Sequence, residues 1–269
     1  MAITSVDISN ALIQLGIGAG DIVLVHSSYK SLGPVEGGAA AVVAGFENVI
    51  GKEGTLVMPT LSMKDYFNSY KTWYMDKPSD TGYLTEFFRK QLYVYRSNQA
   101  THSVAARGKY AYELTFEHTA YGPHMNVAGE YAFADSSPWL KMYNMGTKTV
   151  FIGVSSRFNT IKHAMEGRYA EYVLSRVKDP KIREELKSQV ATFGQFTGTE
   201  IWPMYSGQLM HDYIDSLGMI RHVKCGEAEL LCMDMKETAD AAYEELKAHP
   251  EKWCNEATIA WIKECQKYW

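Results

Sequence analysis

Gly20-Asp21-Ile22-Val23-Leu24-Val25-His26-Ser27-Ser28 begins with turn residues, runs through four consecutive apolar side chains and ends in a polar, hydroxyl-rich segment. A half-exposed strand would alternate apolar and polar residues, so an unbroken apolar run bounded by turn signals reads as a strand buried on both faces. Residues 39–50 follow, Ala-rich and helix-prone, with Val42, Val43, Phe46, Val49 and Ile50 along one stripe and Gly51 where the helix should stop. Thr55-Leu56-Val57-Met58 reads as a second strand ended by Pro59. Strand, glycine loop, helix and strand over residues 22–58 have the order and length of a βαβ crossover, which places the chain in the α/β class.

Working outward, residues 7–15 carry Ile8, Leu12 and Leu15 at helical spacing, with Gly16 and Gly18 to end the helix. Residues 61–79 hold Tyr66, Phe67, Tyr70, Trp73 and Tyr74 without a clean period, and long aromatic loops tend to be functional. Helices are expected over 81–91, under a Thr or Asp cap, and over 109–118. Strands are expected at 93–95, 149–154 and 228–233. Residues 96–103 read as a polar segment and 121–137 as loop. A helix is expected to start at Pro138, 181–190 reads as a charged helix and 212–218 as a helix end, and helices over 236–247 and 252–268 are split by Pro250. Neither an internal repeat nor a linker divides the chain, so one domain over residues 1–269 is expected.

Composition narrows the function. The 269 residues are 46% hydrophobic and 22% charged, which excludes disorder and fibre. With 27 Lys+Arg against 31 Asp+Glu the net charge is −4, and without a basic run no nucleic-acid surface is suggested, whereas a small cationic partner is electrostatically welcome. No apolar stretch approaches the roughly 18 residues of a membrane span, and no secretory pattern opens the chain, so a cytoplasmic protein is expected. Cys225, Cys232, Cys254 and Cys265 form no C-x-x-C pair and read as buried or half-buried thiols.

Three constellations carry chemistry. The first is the loop His26, Ser27, Ser28, Tyr29, Lys30, Ser31, Leu32, Gly33, Pro34, Val35, Glu36, Gly37, Gly38 between strand and helix. Backbone N–H groups at a helix start, relaxed by glycine and joined by hydroxyls and a Lys, bind anionic oxygens; the alternative is an ordinary tight βα loop. Neither a Walker loop nor a G-x-G-x-x-G fingerprint is present, which disfavours a nucleoside triphosphate and a dinucleotide. The second is Arg96-Ser97-Asn98-Gln99-Ala100-Thr101-His102-Ser103, whose His102 could stack, bond a carbonyl or cap a loop. The third is Asn159-Thr160-x-x-His163-x-x-Glu166: on a helix the imidazole and carboxylate share one face, as a general base requires, or they form a plain surface ion pair. Helical His-x-x-x-His or His-x-x-x-Glu spacing is missing, so no metal is expected.

Taken in order, these phrases resemble the aminoglycoside 3-N-acetyltransferase family, antibiotic N-acetyltransferases whose fold is distinct from the GNAT fold. The matching stretches are Gly20 through Ser28, Leu32-Gly33 with Val35-Glu36-Gly37-Gly38, Gly51 with Glu53 through Thr60, Arg96-Ser97, Thr101 through Ala106, Ser137-Pro138, and Asn159-Thr160 with His163 and Glu166, spread over about residues 15–234. The resemblance implies a single α/β domain with a central mixed β-sheet flanked by helices. It implies acetyl transfer from acetyl-CoA to the 3-amino group of the 2-deoxystreptamine ring of an aminoglycoside, hence antibiotic resistance. By carry-over, His26, Ser27, Ser28, Lys30, Ser31, Leu32, Gly33, Val35, Glu36 and Gly37 would hold coenzyme A, helped by Ser97, His102 and Ser103. His163 would take the proton from the amine, Glu166 would support it, and Thr160 would lie near the thioester.

That chemistry is self-consistent, because an ammonium must lose a proton before it attacks a thioester, and imidazole, with a reference pKa of roughly 6.5, is suited to take it. No nucleophile elbow is present, which favours direct transfer over an acetyl-enzyme. Asp65, Tyr66, Glu166 and Glu171, with Asp135, are candidates to line the site of a cationic amine. The alternatives are an acetyltransferase for a non-antibiotic primary amine and a catalytically silent aminoglycoside- or CoA-binding protein. A monomer and a homodimer are both compatible with the sequence.

Overall fold

A computed structural model describes residues 2–62, 64, 71–118, 132–190 and 201–269. The strands are β1 (Ile22–Ser27), β2 (Thr55–Pro59), β3 (Tyr95–Arg96), β4 (Val104–Gly108), β5 (Lys148–Ile152), β6 (Arg221–Cys225) and β7 (Ala228–Asp234). They form one sheet in the order β3-β4-β2-β1-β5-β7-β6. β1 is parallel to both of its neighbours, pairing Val23 with Leu56 and Val25 with Val150, and the four outer pairings are antiparallel. The mixed central sheet and the crossover over residues 22–58 are therefore as expected.

The apolar run in β1 is divided between two cores. Ile22 and Leu24 enter one, Val23 and Val25 the other, as the period of two in a strand requires. The face of Val23 and Val25 is covered by α1 (Ser5–Gln14), α2 (Gly38–Ile50) and α3 (Tyr83–Arg89), through Ile8, Leu12, Val42, Phe46 and Phe88. α1 starts under a capping box in which Thr4 and Asp7 bond each other's backbone N–H. The opposite face packs against α4 (Ala111–Thr115), α5 (Pro138–Asn144), α6 (Lys162–Ser175), α7 (Pro180–Ser188), α8 (Gly207–Ser216), α9 (Met235–Ala248), α10 (Pro250–Trp253) and α11 (Glu256–Gln266), with Trp139, Tyr169 and Trp261 among its large buried side chains. The chain leaves β1 toward α2 on one face and leaves β5 toward α6 on the other. The carboxyl ends of β1 and β5 are thus a topological switch point, where open α/β sheets bind ligands.

Several expected boundaries are corrected. β4 and β6 lie in segments not read as strands, and β3 falls at Tyr95–Arg96 rather than 93–95. α3 starts after Gly82 without a side-chain cap, because the Thr81 hydroxyl donates instead to the Pro59 carbonyl at 2.8 Å. α4 is shorter than 109–118, since Phe116 is extended and Glu117 takes a φ of 65°. The helix expected over 252–268 breaks after one turn, and Asn255 restarts it as α11 by accepting from the Thr258 N–H at 2.7 Å. All four cysteines are free thiols, three buried and Cys254 half-buried. Among the described residues no helix is long and apolar enough to cross a membrane.

Candidate active site

The segment after β5 folds back through a short 3-10 turn at Ser156–Phe158 and enters α6, whose first turn carries His163. Helical spacing sets Glu166 on the same face, and Glu166 Oε2 lies 2.6 Å from His163 Nδ1. The other carboxylate oxygen accepts the backbone N–H of Met204 at 3.0 Å, and Glu166 has no exposed surface, whereas the His163 side chain is 23% exposed. A surface ion pair is excluded by that burial. The carboxylate fixes the imidazole by one nitrogen and leaves Nε2 as the ring's other functional atom. Burial, with Glu166 close by, pushes the Tyr205 hydroxyl well above the usual phenol range and the Cys254 thiol up to about 12, so neither supplies an anionic nucleophile at neutral pH.

His102 reaches the same place from the turn before β4. Its ring meets that of His163 edge to face, with centroids 6.1 Å apart, and both rings pack on Phe133 at 5.0 and 5.9 Å. His102 Nδ1 is 2.8 Å from the Thr101 hydroxyl, its backbone N–H donates to Gln99 Oε1 at 2.5 Å, and its carbonyl accepts from Trp139 Nε1 at 2.9 Å. Ser97 and Ser103, grouped with it by sequence, are fully buried in a polar network instead. Ser97 Oγ lies 2.9 Å from His118 Nδ1 and accepts the Val104 N–H, while Ser103 Oγ donates to the Thr60 carbonyl at 2.9 Å. Arg96 commits its guanidinium to the carbonyls of Thr60, Met75 and Lys77 and lies 4.7 Å over the Trp73 ring. The donors in residues 96–103 therefore mostly hold the protein together.

The loop after β1 is built from backbone. Ser28 N–H donates to the Ile152 carbonyl at 2.8 Å, and the Ser31 hydroxyl bonds the Ser28 carbonyl at 2.6 Å, so the loop is tied to the end of β5. Gly153 sits so close that a Cβ there would lie 1.7 Å from Ser31 Oγ. Leu32 is buried, and its carbonyl accepts the Glu227 N–H. Val35 and Glu36 are bridged to Ile3, while Lys30, Glu36 and Gly37 are exposed. Gly33, Gly37 and Gly38 all have φ between 62° and 78°, which only glycine adopts at no cost, and α2 starts without a side-chain cap. His26 is different from its loop. It is 8% exposed and stacks on Phe151 at 5.0 Å, and burial lowers its pKa to about 4. Among the described residues its Nε2 meets no hydrogen-bond partner, so the ring is a neutral wall of the site rather than an exposed donor.

Of the remaining candidates, Ser27 is half-buried at the end of β1 and Thr160 is buried one turn before His163, with its carbonyl accepting the His163 N–H at 3.1 Å. Glu171 is exposed on α6, eight residues and about 12 Å of helix beyond His163, so the structure does not bring it to the imidazole. Asp65 and Tyr66 lie outside the described residues. Asp135 is exposed, two residues beyond Phe133.

A family model described as aminoglycoside 3-N-acetyltransferase matches residues 24–247, from within β1 to within α9. The chain belongs to that family. Among similar proteins is an SPbeta prophage-derived aminoglycoside N(3')-acetyltransferase-like protein, YokD, of Bacillus subtilis strain 168, 30% identical over 186 residues that cover 61% of this chain and 65% of that one. Another is aminoglycoside N(3)-acetyltransferase III of a Salmonella species, 30% identical over 178 residues, 59% of this chain and 58% of that one. The aligned stretches thus span somewhat less than two thirds of these relatives. A solved structure titled AAC-IIIb binary with CoASH shares the fold at a TM-score of 0.68 and 15% identity, covering 95% of this chain and 99% of that one.

Within this member of the aminoglycoside 3-N-acetyltransferase family, sequence reasoning missed Phe133, Thr101, Gln99, Trp139 and the Met204 N–H as parts of the site. Gln99 and Thr101 stood in a donor cluster already singled out. Nothing at Phe133 or Met204 signals a role, because both meet the site only through tertiary packing.

Proposed function

We propose that this chain transfers the acetyl group of acetyl-CoA to the 3-amino group of the 2-deoxystreptamine ring of an aminoglycoside, by direct attack with His163 as general base. The observation that carries the reading is the 2.6 Å contact between His163 Nδ1 and the fully buried Glu166 carboxylate, beside the switch point of the sheet. Family membership supplies the reaction, and the relative named with CoASH supplies the donor.

The loop after β1 fits a pantetheine and its phosphates: exposed Lys30 offers positive charge, and the uncapped start of α2 offers backbone N–H groups. Bound there, acetyl-CoA supplies the electrophilic thioester carbonyl. His163 Nε2 takes one proton from the acceptor ammonium, and the freed amine forms the C–N bond as the C–S bond breaks. Glu166 holds the ring in the tautomer that leaves Nε2 able to accept, and offsets the positive charge that the ring then carries. Phe133 and Tyr205 flank this corner and limit water. The protons released pass to the sulfur and to solvent.

The test is incubation of the purified protein with acetyl-CoA and a panel of aminoglycosides and simple amines, following thiol release and product mass. One acetyl group on the 3-amino position is the expected outcome. Thiol release without N-acetylation, or acetylation confined to a non-aminoglycoside amine, overturns the substrate assignment.

A further inference from the structure

We infer that His118 is a positioning residue for acetyl transfer: its Nε2–H holds the Ala132 carbonyl, and that bond seats the next side chain, Phe133, against the His163 imidazole. The inference rests on the acetyl-transfer reading above and assigns control of the wall beside its base to a side chain set behind that wall.

Three observations converge. The first is the contact itself. His118 Nε2 lies 3.1 Å from the Ala132 carbonyl oxygen, 14 residues on in the chain. A carbonyl oxygen only accepts, so Nε2 carries the proton whether the ring is neutral or charged. The second is what stands on either side of that contact. Behind it, His118 Nδ1 is 2.9 Å from the Ser97 hydroxyl. Ser97 exchanges two hydrogen bonds of 2.9 Å with Val104, its N–H donating to the carbonyl and its Oγ accepting the N–H, so the imidazole is rooted in β4. Ahead of it, the Phe133 ring packs on His102 at 5.0 Å, on His163 at 5.9 Å and on Trp139 at 6.1 Å. Ser97, His118, Ala132 and Phe133 are all buried, none more than 3% exposed, and a close-packed interior passes a displacement from one such group to the next. The third is the backbone that delivers the ring. Phe116 and Glu117 are exposed, Glu117 takes a left-handed φ of 65° that is costly for a residue other than glycine, and the residue after it is the buried His118. Strain of this kind persists where the surroundings over-determine the conformation, and here it precedes an imidazole held at both nitrogens.

The Ser137 N–H donates to the Ala134 carbonyl at 2.8 Å, so Phe133 lies between two backbone anchors, His118 on one side and Ser137 on the other. Release of the first lets Phe133 shift away from His163 while Glu166 still holds Nδ1. The base then keeps its carboxylate but loses the apolar wall that limits water and steadies the ring, and the loss falls on kcat rather than on donor binding. No proton moves to or from His118 in the reaction, so its balance is as before.

The experiment compares wild type, H118Q, H118N, H118A, F133A and the H118A/F133A double variant in steady-state kinetics with acetyl-CoA and one accepted aminoglycoside, with CoA affinity by calorimetry and thermal melting alongside. H118A is expected to lower kcat roughly tenfold with CoA affinity changed less than about threefold. The amide nitrogen of Gln reaches the place of Nε2 and that of Asn the place of Nδ1, so H118Q should recover most of kcat and H118N should not, a split that lost stability alone does not produce. Because His118 acts through Phe133, H118A should cost less than about twofold on top of F133A. Where H118A does not fold, H118Q against H118N decides, the first being faster by at least about threefold. An H118N equal to H118Q, full additivity of H118A and F133A, or a loss confined to KM for acetyl-CoA overturns the inference. With wild type active, those results leave the acetyl-transfer reading standing. Absence of transfer by the wild type overturns both.

Discussion

The α6 corner and the loop after β1 lie at the same end of one sheet, yet they are held in opposite ways. At the corner, side chains from distant segments satisfy one another: Glu166 is bonded to His163 and to a backbone N–H thirty-eight residues on, and it is wholly enclosed. Along the loop, main-chain groups bond Ile3, Ile152 and Glu227, glycines take conformations closed to other residues, and Lys30 stands in solvent. The first arrangement fixes atoms for chemistry, and the second leaves a conforming surface for a long, flexible donor. Substitutions should therefore separate, with the corner acting on kcat and stability and the loop on donor affinity.

The comparison breaks most directly at His163. Stopped-assay kinetics of H163A should show kcat reduced by about 10²–10⁴-fold with acetyl-CoA affinity nearly intact, and near-normal turnover would dissolve the contrast. Next comes E166A, which strands a buried N–H and the His163 ring; urea unfolding should register a loss of about 3–5 kcal/mol, a range typical when one partner of a buried pair is removed. A value within 0.5 kcal/mol would mean that the corner is not over-determined.

His26 sharpens the boundary between the two regions. Its folded pKa of about 4 lies below the ordinary histidine value of 6.5, so the unfolded chain binds the proton first. Its contribution to stability is complete above pH 6.5, declines as pH falls from 6.5 to about 4, and is lost below; integrated, that is roughly 3 kcal/mol. H26F should flatten this part of the stability curve, as equilibrium unfolding at stepped pH would reveal; a curve parallel to wild type would contradict the buried, neutral ring. The smallest effect is expected at Lys30, where K30A should raise KM for acetyl-CoA by about three- to tenfold at constant kcat. A bulky residue at Gly37 is a poorer probe, because its φ of 78° strains any side chain before a ligand is involved.

Much of this was legible in residues 20–58, because a strand buried on both faces and an amphipathic helix each write a strong period. β4 was not, since Val104-Ala105-Ala106-Arg107-Gly108 has small residues of weak strand preference and becomes a strand by pairing with β2. β6 was not either: Arg221-His222-Val223-Lys224-Cys225 is polar and mostly exposed, and its pairing with β7 turns on Gly226 at φ 59°. At the site, the spacing of His163 and Glu166 announced a pair, because helix geometry is local. Its burial, and the arrival of His102, depend on packing that no local pattern records.

The parallel pairings of β1 also set an order in time. Val23 meets Leu56 by closing a loop of some thirty residues, but it meets Lys148 only by closing one about four times longer, which costs roughly 1 kcal/mol more in chain entropy. A refolding chain can thus hold the crossover formed from β1, α2 and β2 while the seam between β1 and β5 is still open. His163, carried by the helix that follows β5, waits on that seam, so recovered activity should trail the first appearance of secondary structure and rise with the slowest closure in the molecule.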